Sequence, residues 1–277
     1  MIPYSPIEFY TLGFLKLPPE PAAMTLSFIA FIILVVHGLK KRYGLEVKDY
    51  IRFFLIVLLS SLALGRLWFY IAKWKGPETL ITLFDLSEGG LFSIGCILGG
   101  IIGILIASAV IAKRTKKSLM AEFSRIADIV TPPAALVFFI YRILGCTPFG
   151  CTKGTQVDLP WCFLWPDGVC RHPVTVYLAI SALAIFFILT SFFRKEKTAK
   201  TKFGKRFDGE VALWFLLLYS FNRFWIEFFV ASRNMPNNLH LGLNTVQWVC
   251  LVVFMWILIV LSREYYILRN KERRTLV

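Results

Sequence analysis

The sequence is short of charge. Only 17% of its 277 residues are Asp, Glu, Lys or Arg, and that scarcity excludes a water-soluble globule. A chain that is 57% hydrophobic and 16% aromatic cannot cover so much apolar surface with so few ionised groups, so lipid is the solvent its composition implies. No soluble-domain linker, low-complexity run or internal repeat interrupts the chain, which leaves one membrane domain as the simplest organisation. No basic cluster precedes the first apolar run either. Lys40, Lys41 and Arg42 follow that run, which argues against a cleaved signal peptide. Acidic residues are few as well, 17 against 31 Lys and Arg, for a net charge of +14. Such a surplus suggests nucleic acid until the positions of the charges are considered.

What is present is a series of apolar runs of membrane-spanning length, since a hydrocarbon core of roughly 30 Å needs about 20 apolar residues of helix. Seven segments qualify: Met24 to Leu39, Phe53 to Ala72, Leu91 to Ala112, Ile126 to Cys146, Val174 to Phe193, Val211 to Ala231 and Thr245 to Leu261. The fold class is therefore an all-α integral membrane protein of about seven transmembrane helices. The connections after the first, third and fifth helices, with the C-terminal stretch, carry 22 of the 31 basic residues, and the opposite connections carry six. The positive-inside rule then sets the N-terminus outside and the C-terminus in the cytoplasm. Attraction to acidic lipid accounts for the charge with no nucleic acid partner. The organisation reads as an outer interfacial segment over residues 1–23, a membrane domain over 24–262 and a basic cytoplasmic tail over 263–277.

The longest outer loop, residues 147–173, holds Cys151, Cys162 and Cys170, with Cys146 at its helix boundary. On an oxidising side of the membrane a disulfide fits these residues, but four cysteines allow three complete pairings and the sequence does not choose. The spacing from Cys146 to Cys151 is a poor zinc signal without a second ligand pair, so no metal is expected.

Three arginines remain inside the spans: Arg66, Arg142 and Arg223. Each costs roughly 2.5–3.5 kcal/mol to insert at a helix centre, so each requires a partner or water. All three fall in the outer halves of outward-running helices. Planar, permanently charged forks at that depth suit a phosphate or phospholipid headgroup. The plainer readings stand beside this one. Glu227 follows Arg223 by four residues and pairs with it along one helix face, and Arg66 is close enough to the helix end to snorkel.

Several stretches together resemble a family. They are Gly65-Arg66 with Tyr70, Glu88-Gly89-Gly90 through Gly99-Gly100, Asp128 with Pro132, and the loop run Gly145-Cys146, Gly150-Cys151 and Gly154. Further on come Arg171-His172-Pro173 with Tyr177, then Tyr219, Arg223, Phe224, Glu227 and Phe228, and last Gln247-Trp248. In order and spacing these are similar to the bacterial prolipoprotein diacylglyceryl transferases over nearly the whole chain. The resemblance implies a multi-pass protein of the bacterial inner membrane that needs no cofactor. Its implied reaction transfers diacylglycerol from phosphatidylglycerol, or another anionic phospholipid, to a lipobox cysteine in the signal-peptide region of a prolipoprotein. A thioether forms and glycerol phosphate leaves. Carried over by position, Arg223 is the phosphate ligand, Glu227 its orienting partner, Tyr219 a hydrogen-bond donor and Arg142 a second catalytic arginine. Arg66, Gly154, Arg171 and His172 complete the implied binding set.

The chain also departs from the family pattern. Ile94 stands where a histidine is common, and Cys146 and Cys151 replace an asparagine and a glutamate. Arg142 falls one residue out of register, a rotation of about 100° on a helix, so it reaches the site only if the helix end is locally adjusted. Cys146 and Cys151 then read as a disulfide, as buried thiols or as parts of an altered thiol chemistry, and His172 reads as a turn-shaping residue or a base. A non-catalytic phospholipid-binding or lipid-transporting protein of the same fold is the alternative function.

Overall fold

A computed structural model describes residues 1–12, 15–44, 46–72, 93–195, 207–234 and 239–275. Glu88, Gly89 and Gly90 of the glycine-rich stretch, and most of the basic stretch from Arg194 to Arg206, lie outside the described residues. Short strands β1 (Ile2–Pro3), β2 (Tyr10–Leu12) and β3 (Leu15–Leu17) lead into α1 (Pro19–Tyr43), α2 (Val47–Ala72), α3 (Ser93–Thr115) and α4 (Leu119–Tyr141). A π-helical turn, Arg142–Cys146, extends α4 and is followed by β4 (Phe163–Leu164) and β5 (Cys170–Arg171). Then come α5 (Val174–Lys195), α6 (Glu210–Ile226), β6 (Leu239–His240), β7 (Leu243–Asn244) and α7 (Thr245–Thr275). Six of these helical stretches are long and apolar enough to cross a membrane. The seventh helix, α6, has 17 residues, at the lower edge of the spanning range of about 17–25.

Several boundaries differ from those read in the sequence. Helix α1 starts at Pro19, because a proline at the first helical position lacks only an N–H that would be unbonded there. Helix α7 continues past Leu261 through Arg263 and Arg269 to Thr275, where no glycine or proline stops it. Helix α6 ends early at Ile226. Glu227–Phe229 tighten into a 3₁₀ turn and Val230 is extended, at φ −85° and ψ 127°.

The chain forms two compact units, one of residues 1–35 and 130–277, the other of residues 36–129. In the second unit α2 and α3 meet along a seam of small residues. A Cβ added at Gly95 would stand 2.4 Å from the Leu64 carbonyl oxygen, and one at Gly99 2.3 Å from that of Ser60. Lipid supplies no hydrophobic force between helices, so close backbone approach of this kind is how they associate. Ser61 Oγ donates to the Cys96 carbonyl across the seam at 3.1 Å.

In the first unit, Ala135 of α4, Ile185 and Leu189 of α5 and Val211 of α6 form one buried cluster. Leu217 of α6 packs with Ile257 and Leu261 of α7 in another. The N-terminal segment is tied to the loop that follows α4. Strand β1 pairs in parallel with β4, and β4 in antiparallel with β5. Tyr4 stacks on Phe163 at 4.8 Å and donates to the Thr147 carbonyl at 2.6 Å. The segment expected to lie at the outer interface, residues 1–23, thus includes in Tyr4 a residue that holds the loop. A disulfide joins Cys162 to Cys170 across the β4–β5 turn, and Cys146 and Cys151 remain thiols.

Candidate active site

The polar centre of the first unit is built where α6 ends and α7 begins. Arg223 lies in the last turn of α6 and Glu227, four residues on, opens the 3₁₀ turn that continues it, so the two side chains fall on one side, with Arg223 Nη2 2.6 Å from Glu227 Oε2. The distance is that of an ion pair, although Oε2 falls short of hydrogen-bond geometry. Glu227 is 3% exposed, and its other oxygen accepts from Asn244 Nδ2 at 2.7 Å. Asn244 caps α7. Its Oδ1 accepts from the Gln247 N–H at 2.9 Å, and Gln247 Oε1 accepts from the Asn244 N–H at 3.1 Å, a reciprocal capping box. Gln247 also donates to the Phe224 carbonyl at 3.5 Å, which links the cap back to α6. Neither Asn244 nor Gln247 was assigned a site role from the sequence. The signal was there, in an Asn followed three residues later by Gln at the head of an apolar run.

Arg142 approaches from the end of α4 at the first residue of the π-helical turn. That turn spreads one extra residue into the helix, the local adjustment which a one-residue register offset requires. Thr147 closes it, its N–H and its hydroxyl both donating to the Arg142 carbonyl, the hydroxyl at 2.7 Å. Arg142 Nη1 donates to Cys146 Sγ at 3.6 Å. Arg142 and Arg223 both stand within electrostatic reach of the Tyr219 hydroxyl. The Tyr219 ring is held edge-on to Phe138 and stacked on Phe215, each at 5.7 Å. Cys250 of α7 is buried within reach of Arg223 and Glu227, a neighbour the sequence reading did not single out. Arg142 Nε and Arg223 Nη1 are buried and make no hydrogen bond among the described residues. A buried donor left this way costs about 1–3 kcal/mol, so the pair favours an anion that brings acceptors.

The loop residues have structural work beside this centre. Residues 153–156 run between β5 and the end of α6. Thr155 N–H donates to the Phe229 carbonyl at 2.8 Å, and His172 N–H to that of Thr155 at 3.1 Å. Gly154 is required by this close approach, because a Cβ there would stand 2.2 Å from the His172 carbonyl oxygen. His172 packs on Phe229 at 4.7 Å, with Nδ1 3.2 Å from the Tyr177 hydroxyl. Burial lowers the pKa of its imidazole, which favours the neutral ring. Arg171 is engaged by Asp167 through two contacts, at 2.8 and 2.7 Å, and lies over the Trp165 ring. Arg66 belongs to the second unit, where its guanidinium lies 5.5 Å from the Phe69 ring centroid.

Helices of spanning length define the class, a polytopic membrane protein, and a buried arginine–glutamate pair lies at its polar centre. The chain belongs to the prolipoprotein diacylglyceryl transferase family, whose description it matches over residues 21–263. It is 29% identical to the phosphatidylglycerol–prolipoprotein diacylglyceryl transferase of Clostridioides difficile (strain 630) over 188 residues, 68% of each chain. It is 28% identical to that of Nitratidesulfovibrio vulgaris (strain DSM 19637 / Miyazaki F) over 220 residues, 77% of this chain and 76% of the relative. With the enzyme of Finegoldia magna (strain ATCC 29328 / DSM 20472 / WAL 2508) the identity is 32% over 164 residues, 59% of each chain.

Proposed function

We propose that this chain transfers the diacylglyceryl group of phosphatidylglycerol to the thiol of a prolipoprotein lipobox cysteine, at the outer face of a bacterial inner membrane. The observation that carries the reading is the pair of arginines with unused buried donors, Arg142 and Arg223, beside Tyr219. In the reaction the acceptor thiol gives up its proton to solvent, its sulfur bonds to the glyceryl carbon, and the bond from that carbon to the phosphate oxygen breaks, its electron pair leaving with glycerol phosphate. Negative charge concentrates on the departing phosphate. Preorganised guanidinium groups meet it there without reorganising. Arg223 is the principal ligand, aligned by Glu227, which Asn244 holds in turn. Arg142 and Tyr219 supply further donors. The N-out, C-in orientation read from the basic loops puts this centre toward the outer leaflet, where a secreted precursor presents its cysteine.

A non-catalytic lipid-binding role is the second reading, favoured by Ile94 at the position where the family commonly has histidine. Purified protein supplied with phosphatidylglycerol and a lipobox peptide separates the two. Transfer yields a peptide heavier by one diacylglyceryl group in mass spectrometry. Lipid binding that depends on Arg223, with no modified peptide from any anionic phospholipid, would establish the binder.

A further inference from the structure

We propose that Glu20, Cys146 and Cys151 bind one zinc-class divalent cation whose open fourth position takes the thiolate of the acceptor cysteine; the second half of this proposal rests on the transferase reading above. One carboxylate oxygen and two sulfurs from these residues all lie within 4.8 Å of one another. Ligands held at about 2.0–2.3 Å in a tetrahedron stand roughly 3.3–3.8 Å apart, so only a small contraction brings the three onto one ion. Two thiolates and a carboxylate are a donor set that selects a soft or borderline cation over magnesium or calcium.

The backbone builds the convergence. The Gly150 and Cys151 N–H groups both donate to the Cys146 carbonyl, at 2.9 and 3.2 Å. Gly150 takes the left-handed conformation, φ 79°, that turns Cys151 back over Cys146. Glu20 enters from the first turn of α1. Its Oε1 accepts from the Tyr141 hydroxyl at 2.8 Å, the kind of outer contact that fixes a ligating carboxylate, and from Cys151 Sγ at 3.4 Å. Charge also closes. A divalent cation with two thiolates and one carboxylate carries a net single negative charge, and Arg142 beside Cys146 Sγ offsets it. Cys151 is exposed while Cys146 is buried, which leaves a path for the ion and for a fourth ligand.

Such a site has a function in this chain. Attack on the glyceryl carbon needs a thiolate, and a thiol that coordinates the ion is deprotonated outright. The two protein thiols and the acceptor thiol each release a proton to water on binding. The acceptor sulfur then bonds to the glyceryl carbon, glycerol phosphate departs with the electron pair of the broken C–O bond, and the neutral thioether, a weak ligand, leaves the ion. The two cysteines thereby replace a base in a chain with Ile94 at the family's histidine position.

The test uses reduced, full-length protein in detergent. Elemental analysis is expected to find one zinc per chain. Exchange for cobalt should produce tetrahedral d–d bands and thiolate-to-cobalt charge transfer. Cys146→Ser and Cys151→Ser should lose those bands, Glu20→Gln should weaken them, and Arg223→Ala should keep them while losing transfer. A lipobox peptide should shift the d–d bands, and its Cys-to-Ser analogue should not. Absence of zinc and of a cobalt–thiolate spectrum in the wild type, or a Cys146–Cys151 disulfide in its place, overturns the site. Undiminished transfer after metal removal, or a peptide without spectral effect, overturns the acceptor role and leaves the transferase reading standing. Metal binding with no transfer from any phospholipid sinks the transferase reading and leaves the cation site in place.

Discussion

The amide of Asn244 donates to Glu227 at 2.7 Å, so the residue that caps α7 also holds the carboxylate facing Arg223. Two helices are joined at the point where the candidate chemistry lies. Asn244→Ala should therefore lose about 1 kcal/mol for the cap and about 1–3 kcal/mol for the buried Glu227 oxygen left without its donor. Asn244→Ser keeps a capping oxygen but no amide. Thermal unfolding in detergent should recover most of the cap in Asn244→Ser while transfer stays low. Equal activity in Asn244→Ser and wild type would show that Glu227 is not positioned through this contact.

At the α2–α3 seam, Gly99→Ala should destabilise the second unit by about 1–3 kcal/mol, because the new Cβ meets the backbone of Ser60. Gly100→Ala meets only the Ser61 hydroxyl, at 3.3 Å, and should stay within about 0.5 kcal/mol of wild type. Similar melting temperatures for the two variants would rule out the seam as described.

Gly154→Ala should lower activity by moving the backbone, since its Cβ would collide with the His172 carbonyl. The measurement is hydrogen exchange at the Thr155 and His172 amides, whose bonds at 2.8 and 3.1 Å both run through Thr155, the residue after the glycine. Faster exchange at both is expected. Lost activity with unchanged protection would assign Gly154 to substrate contact.

The β4–β5 turn should respond to acid. Hydrogen bonds from Arg171 and from the Val169 N–H hold the Asp167 carboxyl down at a pKa of about 2. Its folded value lies below its unfolded one, so its contribution is complete above roughly pH 4 and is lost as pH falls toward 2. Protection of the Val169 amide should drop over that window, and Asp167→Asn should show the low protection throughout.

The helices and the Arg223–Glu227 pair were legible because lipid-spanning length and four-residue spacing are local properties. Pairing of β1 with β4, more than 150 residues apart, was not, since two-residue strands leave no periodicity. The site held an intermediate case. The one-residue offset of Arg142 was visible, but its accommodation by a π-helical turn depends on Thr147 and on packing around Cys146. Glu20 escaped notice for the same reason as β1: nothing near it in the chain marks a carboxylate that meets Tyr141 and Cys151.

The stoichiometry of headgroup release bears most directly on the transferase reading. Wild-type protein in phosphatidylglycerol vesicles with a lipobox peptide is expected to release one glycerol phosphate for each thioether formed, and Arg223→Ala to release none. Glycerol phosphate without thioether, or neither product from the wild type, would contradict it.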